Sequence, residues 1–143
     1  MIPKFIEREQ VPHKSGVYQF KDRAGRVIYV GKAIDLYHRV ASYFNGTHEY
    51  AKTNALVEKI SSVDTIVVES ELEALILEAN LIKKYLPPFN VSLKDDKDYL
   101  YIKITKEPFP KAVTARKSEL KGSLRGFGPY PSSRTVRETL REL

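Results

Sequence analysis

Gly16-Val17-Tyr18-Gln19-Phe20-Lys21-Asp22-Arg23-Ala24-Gly25-Arg26-Val27-Ile28-Tyr29-Val30-Gly31 is the stretch whose reading decides the fold. Two runs rich in aromatic and β-branched residues flank Asp22 to Gly25, which supplies turn chemistry, so the segment reads as a β-hairpin. Side chains alternate across a strand. Tyr18 and Phe20 therefore share one face, and Tyr29 takes the face opposite Ile28 and Val30. The tripeptides that bracket the hairpin, Gly16-Val17-Tyr18 and Tyr29-Val30-Gly31, reverse each other's order.

Working outward, Asp35 can cap a helix that runs to about Phe44, where Asn45-Gly46 stops it, with Leu36, Val40 and Phe44 as its buried stripe. Arg39 and Tyr43 are four apart and share a face, and Lys32 lies just ahead of the helix. A second helix is expected over residues 52–60 with Leu56, Val57 and Ile60 apolar, and a third strand over 65–69. Ser70-Glu71-Leu72-Glu73 is a capping box, opening a helix that Pro87-Pro88 must end. Its expected stripe is Leu72, Leu75, Ile76, Ala79 and Ile82, and Glu78, one heptad from Glu71, sits at the edge of that stripe. Residues 94–98 then read as a charged turn, 99–105 and 111–116 as strands, and 134–143 as a helix. The expected fold class is α+β, a small central antiparallel sheet flanked by helices in the order ββ-α-α-β-α over residues 1–93, with a C-terminal β-hairpin and helix over 94–143.

Composition narrows the chemistry. A chain of 143 residues with 42% hydrophobic content has room for one core and a small appendage. The absence of cysteine removes disulfides, thiolate zinc sites, iron–sulfur clusters and a cysteine nucleophile. No signal-like or membrane-spanning apolar run is present in the sequence, so a soluble, cytoplasmic chain is expected. Lys and Arg number 24 against 18 Asp and Glu, a formal +6 that favours polyanionic partners. His13, His38 and His48 are scattered, and read as surface or loop histidines.

The hairpin tripeptides resemble those of the GIY-YIG nuclease superfamily, and the residues that follow resemble the UvrC branch of it, which belongs to the excinuclease ABC system. The similarity runs through Tyr29-Val30-Gly31-Lys32-Ala33, Arg39-Val40-Ala41-Ser42-Tyr43-Phe44, Glu73-Ala74-Leu75-Ile76-Leu77-Glu78, Asn80-Leu81-Ile82-Lys83-Lys84-Tyr85, Phe89-Asn90-Val91 and Leu93-Lys94-Asp95-Asp96-Lys97. It resumes at Phe127-Gly128-Pro129-Tyr130-Pro131-Ser132 and Val136-Arg137-Glu138-Thr139-Leu140. A colinear series over nearly the whole chain is not a chance event. Ser15 stands before Gly16 where the family often has proline. The family also continues into segments not found here, so this is either a piece of a longer protein or a naturally short relative.

The resemblance implies a GIY-YIG fold and a metal-dependent endonuclease making the 3′ incision in nucleotide excision repair. It implies Tyr29 as general base, Glu78 as ligand of one Mg²⁺ or Mn²⁺, Arg39 and Lys32 as electrostatic stabilisers, and Tyr18, Tyr43 and Asn90 as supporting groups. The implied partners are damaged double-stranded DNA and the helicase (UvrB) and ATPase (UvrA) components of the excinuclease system, with no membrane and a monomeric chain. A tyrosine with a pKa of roughly 10 is a poor base unless positive charge lowers it, and Lys32, Arg39 and a metal would all push that way. A hard cation keeps most of its waters, so one carboxylate suffices. Each residue also has a plainer reading: tyrosines as strand aromatics, Arg39 snorkelling, Glu78 a solvated helical acid, Asn90 a turn former. A stand-alone nuclease on branched or foreign DNA and a non-catalytic DNA-binding module remain the alternative functions.

Overall fold

The computed structural model describes residues 3, 11–46, 48–91 and 99–141. The chain divides into two compact units, Met1–Asn90 and Val91–Leu143. The charged turn expected at 94–98 and the 93/94 boundary lie outside the described residues.

In the first unit, β1 (Gly16–Lys21) and β2 (Val27–Ala33) form the expected hairpin, followed by α1 (Leu36–Ser42), α2 (Ala51–Lys59), β3 (Ser62–Val67) and α3 (Glu71–Tyr85). The sheet is antiparallel in the order β2-β1-β3. Asp22 Oδ1 closes the hairpin turn by accepting the Ala24 and Arg26 N–H groups, both at 3.0 Å. A bulge between Phe20 and Lys21 then resets the alternation. It places Ile28 in the cluster of Tyr18 and Phe20, against which Tyr29 packs, while Val30 lies with Val17 and Val27. The expectation that Ile28 faces away from Tyr29 fails for that reason.

The first of these clusters also takes in Leu36, Val40 and Tyr43 from the α1 segment and Leu56 and Ile60 from the α2 segment; the second takes Ala74 of α3, with Leu77, Leu81 and Ile82 packed against it. Two helical layers therefore sandwich the sheet. In α1 the buried residues are Leu36, Val40 and Ala41, and Phe44 is half-buried rather than core. In α3 the fully buried residues are Ala74 and Leu75, and the face is rotated from the expected stripe because small Ala74 lets the helix approach the strands. Ser70 Oγ accepts the Glu73 N–H at 3.1 Å, and the Glu73 carboxylate accepts the Glu69 N–H at 3.1 Å. The helix ends at Leu86, in the left-handed region (φ 47°), directly before Pro87-Pro88. β3 starts three residues before its expected position, since the Ser61 N–H already bonds the Lys21 carbonyl and Ser62 pairs with Lys21.

The second unit is a three-stranded antiparallel sheet, β5-β4-β6, from β4 (Leu100–Ile104), β5 (Ala112–Ala115) and β6 (Arg125–Tyr130), with α4 (Ser133–Arg141) after it. Strand β6 has no counterpart in the sequence reading. Its Gly126, Gly128 and Pro129 resemble turn residues, yet both glycines are sites of close approach: a Cβ would meet Leu120 Cδ2 at 3.1 Å and Tyr101 Cδ2 at 3.0 Å. Among the described residues no helix is long and apolar enough to cross a membrane.

Candidate active site

Both glycines of the hairpin tripeptides are required by contacts rather than by turns. Gly31 pairs directly with Tyr18, and the Tyr18 ring lies over it, so a Cβ would fall 2.9 Å from Cε1 and nearer still to Cζ and Oη. At Gly16 a Cβ would meet Leu36 Cδ1 at 2.8 Å and collide with the Ile66 carbonyl. For Gly31 the signal that reveals its role is a glycine paired opposite an aromatic; Gly16, paired with Ala33 and Val67, carries no such signal.

The Tyr18 ring, so placed, is buried beside Phe20, Tyr29 and Tyr43, with centroid separations of 5.2, 6.2 and 6.0 Å. Its hydroxyl lies 2.7 Å from Tyr43 Oη and accepts a 3.3 Å hydrogen bond from Arg39 Nε. The Arg39 guanidinium also stands 5.2 Å from the Tyr43 ring centroid, a cation–π geometry. The Tyr29 ring packs beside that of Tyr43, with centroids 6.3 Å apart. The Tyr43 carbonyl is held by His48 Nε2 at 2.7 Å, and His48 is fixed through Asn54. Tyr18, Tyr43 and Arg39 thus form a connected polar chain inside an aromatic cluster that includes Tyr29. His48 and Asn54 as supports had no local sequence signal.

Glu78 and Lys32 reach the same region from the other layer. β2 is an edge strand of its sheet, so groups from both faces can meet around it. The half-buried Glu78 is near enough to Lys32 for the lysine's charge and backbone N–H both to favour its anion, and its own charge acts on Tyr29. Asn90 closes the outer edge of β2. Its amide accepts from the Val30 N–H and donates to the Val30 carbonyl, both at 2.9 Å, while the Phe89 N–H bonds the Ile28 carbonyl at 3.0 Å. Asn90 therefore works as a stand-in strand partner on Val30, with Phe89 doing the same at Ile28, and its amide is committed to backbone.

Burial dominates the ionisation of the site. It raises Tyr29 above the ordinary phenol value, helped by Tyr43 and Glu78 and only partly opposed by Arg39. Arg39 does pull Tyr29 down as expected, but burial outweighs that pull in the free chain. Tyr18 is raised in the same way, by burial first and then by Tyr43 and Tyr29. Burial also pushes Glu78 up to about 7, against a smaller opposing effect of Lys32. A phenol and a carboxylate both driven toward their neutral forms mark a region stripped of water. That donor chemistry, a partly dehydrated carboxylate with phenolic oxygens nearby, fits a hard divalent cation with oxygen ligands.

Residues 14–91 match the family described as the UvrC-like GIY-YIG domain. The chain is 52% identical over 130 residues to the UvrABC system protein C of Caldicellulosiruptor saccharolyticus, and 50% identical over 131 residues to that of Chlorobium chlorochromatii. Each alignment covers 91% of this chain, but 22% and 21% of the relatives, so the chain spans about a fifth of the curated relatives it matches. The GIY-YIG N-terminal endonuclease domain of UvrC from Thermotoga maritima, solved with its catalytic divalent cation, magnesium, is 44% identical. It superposes with a TM-score of 0.55, covering 64% of this chain and all of that one. A point variant of the same domain with an asparagine replaced by alanine, also bound to its catalytic divalent cation, gives 43% and 0.56.

Proposed function

The chain belongs to the UvrC-like GIY-YIG domain family, and from that premise we propose that it is a metal-dependent endonuclease domain that nicks damaged DNA in excision repair. The observation that carries the proposal is the meeting of Tyr18, Tyr29, Tyr43, Arg39 and Glu78 around the edge strand β2, with the Tyr18 and Tyr43 hydroxyls partnered and the carboxylate partly dehydrated. A divalent cation bound on Glu78 would supply positive charge to the phosphodiester and lower the pKa of the hydroxyl groups around it.

The chain's own residues do the rest. Glu78, beside Lys32 and partly dehydrated, presents its carboxylate as the ligand. Arg39, fixed to Tyr18 and over Tyr43, places charge where the phosphoryl oxygens become negative. The Lys32 ammonium serves the same purpose from β2. Tyr29 takes the proton of the attacking water. In the free chain burial keeps Tyr29 a neutral phenol, so it acts as base only as the phenolate, after its own proton has passed to solvent in the cation- and substrate-loaded state. Tyr18 and Tyr43 orient Tyr29 and Arg39, and Asn90 orients β2.

The substrate reading is damaged duplex DNA with incision 3′ to the lesion, delivered by the helicase UvrB and the ATPase UvrA, in the bacterial cytoplasm. Binding by the chain alone is then weak and without sequence preference, with non-specific affinity of roughly 10⁻⁴ to 10⁻⁶ M at physiological salt. The test is a nicking assay on lesion-bearing duplex with Mg²⁺ and the helicase supplied. Tyr29→Phe is expected to bind DNA like the parent and lose cleavage by at least a hundredfold, the usual scale of a lost general base. Equal losses of binding and cleavage would make Tyr29 a substrate contact and refute the base assignment.

A further inference from the structure

His13, Asp35 and His38 read as unrelated in sequence, yet the fold gathers them. His13 Nδ1 lies 3.0 Å from Asp35 Oδ2, and His38 Nδ1 lies 3.9 Å from the same oxygen. One ligand atom from each residue stands within 4.8 Å of the other two, and the His13 and His38 rings meet edge to face at 5.0 Å. We propose that these three side chains form a second cation site, separate from Glu78, which takes one borderline transition-metal ion of the Zn²⁺ class.

The geometry is built rather than accidental. The strap that carries His13 is pinned on both sides of it, by the Leu36 N–H to the Lys14 carbonyl (2.9 Å) and the Tyr37 N–H to the Pro12 carbonyl (3.2 Å). His38 sits in the first turn of α1, and its N–H bonds Asp35 Oδ1 at 3.0 Å, so one carboxylate oxygen caps the helix. His13 Nδ1 meets both oxygens of that carboxylate, at 3.1 and 3.0 Å, and its ring packs 4.6 Å from that of Tyr37, so His13 is already aimed at Asp35. The exposed His38 ring faces Oδ2 and can turn. The third histidine is engaged elsewhere, on the Tyr43 carbonyl.

The donor set selects the ion. Two imidazoles and one carboxylate suit Zn²⁺, Co²⁺, Ni²⁺ or Cu²⁺ and disfavour Mg²⁺, which wants oxygen ligands. Metal–ligand distances of about 2.0–2.2 Å require the three donors to stand roughly 3–3.5 Å apart. The exposed His38 ring can supply the remaining closure by rotation. Three protein ligands leave positions for water, so the ion is exchangeable. Occupancy would clip the strap before β1 to α1, the helix that carries Arg39.

The test titrates ZnCl₂ and CoCl₂ into the untagged full chain at pH 7.5 by calorimetry and visible absorption, both in the parent and in Glu78→Gln. One ion per chain is expected in both, with a rise in melting temperature and no displacement by equimolar Mg²⁺. His13→Asn and His38→Asn should each weaken Zn²⁺ at least tenfold. Asp35→Asn keeps a capping side chain and should weaken Zn²⁺ as strongly, with far-UV circular dichroism unchanged. Binding to the His13→Asn/His38→Asn double variant as tight as to the parent would overturn the site. So would one ion per two chains with a dimer in sedimentation, or loss of Zn²⁺ binding in Glu78→Gln alone. Failure of the nuclease reading would leave these outcomes unchanged.

Discussion

Replacing Gly31 with alanine inserts a methyl group into the one place where the Tyr18 ring crosses the backbone. The new Cβ would stand 2.9 Å from Tyr18 Cε1 and closer to Cζ and Oη, where carbon contacts ordinarily settle at about 3.5–4.0 Å. The ring has nowhere to go. Tyr18 is 1% exposed, walled by Phe20, Tyr29 and Tyr43, and its hydroxyl is tied to Tyr43 and Arg39. Overpacking costs roughly 1–3 kcal/mol, and losing the buried Tyr18–Tyr43 hydrogen bond adds about 1 kcal/mol. Urea unfolding of Gly31→Ala should therefore show a loss of about 2–4 kcal/mol, and nicking should fall as Arg39 loses its anchor. In the Tyr18→Leu background the same substitution should cost much less, because the ring that it strikes is gone. Gly25→Ala is the control: it sits at φ 82° with nothing within 4 Å of the added methyl, so it strains the turn by about 1–2 kcal/mol without reaching the site. A Gly31→Ala change within about 0.5 kcal/mol of the parent, or strict additivity with Tyr18→Leu, would refute the argument.

Glu78, with a folded value of about 7 against an unfolded one of about 4.3, binds its proton more tightly when folded, so stability falls as pH rises through that window. Glu78→Gln should accordingly melt with the parent near pH 4 and above it at pH 8, where added Mg²⁺ should raise the parent alone; coincident melting at pH 8 would refute the dehydrated carboxylate. Asn90→Ala leaves the N–H and carbonyl of fully buried Val30 without their partner and should cost roughly 1–3 kcal/mol. Asn90→Asp, which keeps only the acceptor, should fall between, and an unchanged denaturation midpoint for both would remove Asn90 from the edge of β2. Residues 91–143 carry 12 basic and 7 acidic side chains, whereas residues 1–90 carry 12 and 11, so the net charge resides in the second unit. Replacing exposed Lys121, Arg137 and Arg141 with glutamine should flatten the salt dependence of DNA binding, by about 0.9 in log–log slope for each phosphate no longer neutralised, while the same change at Lys52, Lys59 and Lys83 should not; the reverse ranking would place the electrostatic contact on the first unit.

What the sequence disclosed was what short-range pattern encodes. The hairpin, the Asp35 cap and the Ser70 cap each depend on residues within a few positions, and each formed, though the hairpin carries a bulge and Glu73 returns its bond to the Glu69 N–H rather than to Ser70. Strand β6 stayed hidden because its glycines and proline carry the letters of a turn, and only the aromatic and leucine that press on them reveal a strand. The rotated face of α3 likewise follows from Ala74 meeting a sheet, which helical periodicity alone does not report. At the site the pattern is similar: Tyr18 finds Tyr43 across 25 residues, and Asn90 finds Val30 across 60.

Charge shows the same limit most plainly. The sequence names Lys32 and Arg39 beside Tyr29 and Glu78, and a count of charges predicts a phenol made acidic. The fold reverses that sign, because taking Tyr29 and Glu78 out of water disfavours their anions more than the two cations favour them. Dehydration is a property of packing, set here by the aromatic cluster and by an edge strand closed with Asn90. The same dehydration strengthens any charge brought into the site, since less water remains to screen it. A cation and a phosphodiester entering together would then act on Tyr29 and Glu78 in a medium where each interaction counts for more. The raised values in the free chain and the proposed chemistry in the loaded one have a single cause.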